Sequence, residues 1–300
     1  MPARASTSIW ARLYSSPTAS MNVCRVTRSL LDWCPDESGV RETGALATLP
    51  SALLVQSVML VLAGEFARGA EQTAIAAATR AVPLLHAQLI LAAWRGRPDE
   101  SAEVYATIVE EAGGHANTTE VSLAQYGMAV LHNGLGDYPA AQAAAARAFE
   151  SAELTNSNLA HSELIEAACR SGRPESATEA LDQLTSRALA SGTPWGLGLA
   201  ARSGALTSAG PAAEALYREA IEQLARCRMP GHLARTHLVY GEWLRREGRC
   251  QDARQQLRTA HDLLSDMLPP ATPRADPSLS HRRRHGRRLN PLAPPSRGPR

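Results

Sequence analysis

The chain has 300 residues, of which 44% are hydrophobic and 4% aromatic, and its formal net charge is +2. This much apolar material suffices for one elongated domain or two compact ones, and the prevalence of alanine and leucine without alternating β-branched residues predicts an all-α fold. All 31 basic residues are arginine, which excludes functions that need a lysine: the phosphate loop of P-loop NTPases, the kinase-type lysine and the Schiff-base amine.

Residues 1–44 form an N-terminal segment that we expect to be partly disordered. Its stretch "RSLLDWCPDESG" predicts one short helix that ends near Pro35. The segment has no apolar run of signal-peptide length, and "LLVQSVMLVLAG" further along is too short to span a bilayer. The five cysteines include no C-x-x-C pair, which is typical of a protein of the reducing cytosol. We therefore expect a cytoplasmic protein without a membrane partner.

Residues 45–267 repeat one pattern, in which an apolar helix-like segment ends at a glycine and a small residue follows about five positions later. The glycines are Gly64, Gly96, Gly136, Gly172, Gly210 and Gly248, with successive spacings of 32, 40, 36, 38 and 38 residues. At Gly210 the pattern is shifted by about two residues. A period of this length is typical of stacked helical hairpins.

The stretch "LHNGLGDYPAAQAAAARAFE" shows how each unit is built. The first helix-like segment ends at Gly134 and Gly136, and Pro139 follows at once. Glycine supplies the left-handed backbone that closes a helix, and proline is tolerated in the first turn of the next. Small residues at helical spacing then let the second helix pack closely. We assign to this packed face Ala141, Ala145 and Ala148, then Ala177, Leu181 and Leu184, and finally Ala253, Leu257 and Ala260.

These units predict a superhelical array of stacked antiparallel helix hairpins, which resembles the tetratricopeptide (TPR) fold. In such arrays the first helix of each hairpin lines a concave groove that binds peptides or ligands. Counting back from the glycines places seven polar residues on that face: Tyr126, Asn133, Ser162, Glu166, Arg235, Glu242 and Arg245. They are candidate contacts for a protein or small-molecule effector, and self-association through the array is a further expectation. An ordinary polar surface is the equally open alternative.

Residues 268–300 carry eight arginines against Asp276 alone, a charge of +7, and leave the rest of the chain at −5. These 33 residues contain eight prolines, and their apolar residues do not recur at helical or strand spacing. Both features predict a disordered tail. Three interpretations of the tail are open. It is a solvated segment without selected function, or its "HRRRHGRR" run contacts nucleic acid or an acidic surface non-specifically through charge. The third is that the sudden break in pattern comes from a shifted reading frame.

No motif in the sequence assembles a catalytic, cofactor or metal site. His232 and His237 stand five apart, so they do not share a helix face as a zinc-binding pair does, and the sequence lacks both H-E-x-x-H and G-x-S-x-G. The glycine-rich "SGTPWGLGLA" predicts a helix that Thr193 caps and Pro194 begins, not a phosphate loop. We therefore expect no enzyme activity and no cofactor.

The stretches "LLAAWRGRPDESA", "AVLHNGLGDYPAA", "ELIEAACRSGRPESA" and "LVYGEWLRREGRCQDARQQLRTAHDLLSDM" give the chain a resemblance to a known family. Over roughly residues 40–267 it resembles the C-terminal helical-repeat region of the large ATP-binding transcriptional regulators of the LuxR family. The resemblance implies a module for signal sensing and protein–protein interaction.

In that family an ATPase domain precedes the repeats and a DNA-reading helix-turn-helix domain follows them. The missing lysine argues against the ATPase, and the Arg/Pro-rich tail stands where the helix-turn-helix would begin. The leading hypothesis is therefore a regulator fragment with neither domain, which reaches DNA only indirectly or through its basic tail. The alternative is a stand-alone TPR-like adaptor for protein association, with an enzyme as a distant third.

Overall fold

The computed structural model describes residues 49–78, 84–113, 119–150 and 154–268. The predicted partly disordered segment 1–44, its short helix near Pro35 and the predicted disordered tail after residue 268 lie outside the described residues. Within them the chain forms twelve α-helices and no strand, which confirms the all-α prediction. None of these helices combines the length and the apolar character that a membrane crossing requires.

The described connections between helices have two to four residues, except the one between α7 and α8, which has seven. The first six are α1 (Leu49–Leu62), α2 (Phe66–Ala78), α3 (Leu85–Trp94), α4 (Pro98–Glu111), α5 (Thr119–Leu135) and α6 (Tyr138–Phe149). The second six are α7 (Leu154–Arg170), α8 (Thr178–Ser191), α9 (Pro194–Thr207), α10 (Gly210–Ala225), α11 (Pro230–Arg246) and α12 (Cys250–Met267). A 3₁₀ turn at Pro174–Ala177 precedes α8.

Packing follows the chain order. Each helix contacts the next one along the chain, and the odd-numbered helices from α1 to α9 also pack successively on one another. The odd-numbered helices from α1 to α9 therefore form one packed series, which together with α11 we call the inner layer.

All six glycines of the repeat have a positive φ angle, between 58° and 81°, as the sequence predicts. At Gly136, with φ 81°, the N–H of Asp137 donates to the carbonyl of His132 across 2.9 Å, so the left-handed residue satisfies the free carbonyls at the end of α5. Gly134 lies inside α5, so its assignment to the stop was wrong: one left-handed residue suffices to end the helix.

The helix starts also follow the sequence signals. The Thr193 hydroxyl accepts a hydrogen bond from the N–H of Gly196 at 3.2 Å, and Pro194 is the first residue of α9, as predicted. The helix that follows Gly210 begins at that glycine, whereas α6 and α12 begin two residues after theirs. This difference confirms the predicted two-residue shift.

In α6 the packed face is the predicted one, because Ala141, Ala145 and Ala148 are fully buried. In α8 and α12 the predicted Leu181 and Leu257 are only half-buried. The α8 face that packs inward is centred on Ala180, Leu184 and Ala188. A 3₁₀ turn leads into α8, but no such turn precedes α12 in the described chain.

The first and last described helix pairs share a hydrophobic core. Val55 and Val58 of α1 belong to the same buried cluster as Met229 and Met267, which lie just before α11 and at the end of α12. A Cβ atom placed on Gly64 would lie 2.6 Å from Cγ of Pro230, so only glycine fits this contact. The two ends of the described helical series are therefore in direct contact.

Candidate functional site

The inner layer of odd-numbered helices carries a group of buried polar side chains, which we call the inner cluster. Its members are Asn133 on α5, Glu163, Glu166 and Arg170 on α7, Arg202 on α9, and His232, Arg235 and Glu242 on α11. Four of the seven predicted groove residues, Asn133, Glu166, Arg235 and Glu242, thus come together here. All four lie on the first helices of their hairpins, as the register predicts, but Asn133 and Glu166 are buried between helices.

Glu166 is the centre of the inner cluster. Its fully buried carboxylate accepts hydrogen bonds from Nη2 of Arg235 at 2.7 Å and from Nε of Arg170 at 2.9 Å. Burial opposes ionisation of Glu166, but the surrounding charges of Arg235, Arg202 and Arg170 outweigh burial and hold its pKa at about 2. The carboxylate therefore stays ionised and ties α7 to α11.

Arg235 and Arg170 extend this ion pair in two directions. Nη2 of Arg235 also donates to the backbone carbonyl of Asn133 at 3.0 Å, which adds α5 to the network. Nη2 of Arg170 lies 2.7 Å from a carboxylate oxygen of Glu242, and its guanidinium stands over the Tyr138 ring at 5.2 Å. These charge-assisted bonds satisfy both guanidinium groups.

Arg202 has no such partner. Its side chain is fully buried, and the nearest carboxylate oxygen, Oε1 of Glu163, is 3.7 Å from Nη2, beyond hydrogen-bond distance. The other carboxylate oxygen of Glu163 accepts from Nδ2 of Asn133 at 2.9 Å. Within the described part of the chain, none of the three guanidinium nitrogens of Arg202 makes a hydrogen bond. A buried, unsatisfied guanidinium is among the most unfavourable groups a fold can contain.

His232 lies between two tryptophans near Arg202. The centroids of the Trp94 and Trp195 rings each lie 5.7 Å from the imidazole centroid. Burial, together with the nearby charge of Arg202, lowers the pKa of His232 to about 3, so the imidazole is neutral. Both imidazole nitrogens and both indole N–H groups lack a hydrogen-bond partner among the described residues.

The remaining predicted groove residues occupy different environments. Tyr126 and Ser162 are fully buried, and burial raises the pKa of the Tyr126 phenol. The Arg245 side chain is exposed near the end of α11 and makes no described contact with the inner cluster. That any of the seven contacts an effector stays a prediction.

The sequence analysis missed Glu163, Arg170, Arg202, Trp94 and Trp195, and it considered His232 only as a metal ligand. Arg202 had a usable signal, because it is the one charged residue of the otherwise apolar α9, "PWGLGLAARSGALT". A single charge among apolar and small residues indicates either burial with a partner or a site. The two tryptophans carry no such signal, since aromatic residues at helix ends are common in helical cores.

One other region is a weaker candidate for a site. Histidine, cysteine and acidic side chains form no group of three suited to a metal ion in the described ranges. A shallow pocket of about 390 Å³ lies between α10, α11 and α12, with Tyr240, Arg249 and Asp252 in its lining. Its polar groups already pair with one another, as Arg249 does with Asp252 at 2.7 Å. The inner cluster is therefore the best-supported candidate site.

Comparisons of the chain with protein-family models, with curated proteins and with solved structures find no match. The inner cluster and the helix pairing thus stand on the chain's own residues and geometry.

Proposed function

We propose that this chain is a signal-sensing and protein-association module, built as a TPR-like superhelical array with the inner cluster as its effector site. The observation that carries the proposal is the inner cluster itself, in which charged side chains of α7, α9 and α11 meet inside the helical layer. A buried charged network stabilises a fold no better than apolar packing of the same volume. Its presence is better explained by binding than by stability.

The TPR-like arrangement is supported by two features. Consecutive helices pack in pairs, and the odd-numbered helices from α1 to α9 pack successively on one another. Left-handed glycines separate the two helices of each pair at a repeat of 32 to 40 residues. In an array of this kind each inner helix contributes one stripe of side chains to a common surface, which suits the binding of an effector.

The regulatory part of the proposal rests on the resemblance to the helical-repeat region of LuxR-family regulators. The chain senses an effector and associates with itself or with a partner protein, while ATP hydrolysis and specific DNA recognition belong to other polypeptide segments. DNA contact by this chain is indirect, or non-specific through the arginines of residues 268–300. The alternative is an adaptor that associates with proteins without an effector.

Analytical ultracentrifugation and gel-shift assays on the full chain test this function. Compounds that raise its melting temperature are first selected from a metabolite library, and the sedimentation coefficient is then measured with and without them. We expect an effector to change the association state, and promoter DNA to bind only at low salt. Specific promoter binding at physiological salt by the chain alone contradicts the proposal. Association that no compound alters identifies the adaptor.

A further inference from the structure

The region around Arg202 and His232 contains more hydrogen-bond donors than acceptors. The guanidinium of Arg202 and the indole N–H groups of Trp94 and Trp195 are buried, and none of them donates to a described acceptor. The imidazole of His232 stands between the two indoles at 5.7 Å from each, and it too is unpartnered. A partner for this group must therefore supply acceptor atoms rather than donors.

The net charge of the inner cluster restricts the charge that this partner can carry. Arg170, Arg202 and Arg235 balance Glu163, Glu166 and Glu242, so the cluster is neutral while His232 is neutral. An added anion of one charge is compensated if the imidazole gains one proton, whereas a dianion leaves one negative charge uncompensated and buried. A singly charged acceptor is therefore favoured over phosphate or sulfate.

We propose that Arg202 and His232 bind a small monocarboxylate together with one proton. The carboxylate takes a bidentate position on the guanidinium, and the apolar part of the acid packs against Trp94 and Trp195, which are only half-buried. The ligand enters as the anion, a proton from solvent joins an imidazole nitrogen, and the charge of the cluster stays zero. This inference rests on the proposed function, because it names the effector class of the same site.

The surroundings of His232 support the coupled proton. Trp94 faces the imidazole from α3, and Trp195 and Arg202 face it from α9, so Arg202 is the one charged group described near it. On its own helix the nearest described polar contact is the Thr236 hydroxyl, which donates to the His232 carbonyl at 2.8 Å. A bound carboxylate would offset the guanidinium and make protonation favourable.

Titration of the full chain with two acids and their neutral amides tests the proposal. The probes are acetate and benzoate, with acetamide and benzamide as controls, and the readouts are tryptophan fluorescence and melting temperature. We expect both acids to bind and both amides to be at least about tenfold weaker, with benzoate the tighter acid because its ring meets the indoles. The apparent Kd of the acids should fall by up to about tenfold per pH unit from about pH 8 to about pH 6.

Arg202→Met removes the guanidinium at similar volume, and Arg254→Met makes the same change at an exposed position of α12. We expect Arg202→Met to weaken benzoate binding at least about tenfold and Arg254→Met to leave it unchanged. Equal binding to parent and Arg202→Met, equal binding of acid and amide, or a Kd that does not change with pH overturns the proposal. If Arg202→Met does not fold, the acid–amide comparison and the pH series on the parent decide alone.

Failure of this inference is distinguishable from failure of the proposed function. If the acids do not bind but another compound changes the association state, the chain is still a sensor and only the ligand class is wrong. If the acids bind without altering sedimentation, the site is correct and the sensing role is contradicted.

Discussion

The Glu166 carboxylate joins α7 to α11 through ion pairs, and its replacement measures what these ion pairs contribute to the stability of the fold. Glu166→Gln keeps the shape but leaves Arg235 and Arg170 without the anion they contact at 2.7 and 2.9 Å. We expect a loss of about 3–5 kcal/mol in the free energy of unfolding, the usual cost of breaking a buried ion pair on one side. Urea denaturation at neutral pH measures it.

Glu242→Gln is the matched control for this substitution. Glu242 is 25% exposed, and its partner Arg170 keeps Glu166, so the expected loss is below about 1 kcal/mol. Equal losses for the two variants would mean that Glu166 has no special place in the cluster.

His232 makes the protein sensitive to acid. Its pKa is lowered to about 3 in the folded chain from an ordinary 6.5, so the unfolded chain binds the proton first as the pH falls. The parent therefore loses stability below about pH 6.5, and the loss continues until the pH reaches the folded pKa. His232→Phe removes this proton but keeps an aromatic ring beside the tryptophans.

We expect the free energy of unfolding of His232→Phe to rise by about 2 kcal/mol relative to that of the parent as the pH falls from about 7 to about 5. Urea midpoints across this range measure the gain. A constant difference between the two proteins over the range would show that His232 is not buried as a neutral imidazole.

At the scale of single helices, two neighbouring glycines have opposite roles. Gly136 has a φ angle of 81° and ends α5, whereas Gly134 lies inside α5 with nothing within 4 Å of an added Cβ. Gly136→Ala forces alanine into the left-handed region and should destabilise by about 1–2 kcal/mol. Gly134→Ala should stabilise by about 0.5–1 kcal/mol, because alanine is the better helix former.

Thermal unfolding of both variants checks this pair of expectations, since the signs of the melting-temperature shifts must differ. If both substitutions destabilise, the helix does not run through Gly134, and the two-glycine stop read from the sequence would be correct after all.

Helix ends were predictable because their signals are local. Gly136, Thr193 and Pro194 act on backbone groups within a few residues, so the sequence contains all that is needed to place them. The half-burial of Leu181 was not predictable, because the rotation of α8 depends on its packing against neighbouring helices, which the glycine count ignores.

The site was predictable only in part, for the same reason. Asn133, Glu166, Arg235 and Glu242 follow from the register of the first helices, and these four do meet. Arg202 and its distance from Glu163 depend on how far each helix pair is rotated against the next. That rotation results from side-chain packing along the whole series, which no short stretch encodes.

At the scale of the whole molecule, Met229 links the last helix pair to the first. It is buried in one cluster with Val55 and Val58 of α1, although about 170 residues separate them. Met229→Ala should lower the free energy of unfolding by about 2–5 kcal/mol, and it should also make local opening of α1 more frequent. Hydrogen exchange under native conditions should show faster exchange in Leu49–Leu62 as well as in Pro230–Arg246.

Leu184→Ala provides the comparison at a similar volume change. Leu184 is buried in a separate cluster with residues of α6 and α7, so its loss should accelerate exchange there and leave α1 unaffected. If α1 responds equally to both substitutions, the ends of the helical series are coupled through the entire chain and not through the Met229 contact.

The contact between Glu65 and Arg228, at 3.3 Å across 163 positions, has a consequence for the order of assembly during synthesis. Most pairings in this chain are between neighbours and can form as each segment leaves the ribosome. The surface that α1 offers to Met229 and Met267 stays without these partners until α11 and α12 have emerged. We therefore expect chaperones that bind apolar surfaces to contact the nascent chain in this interval.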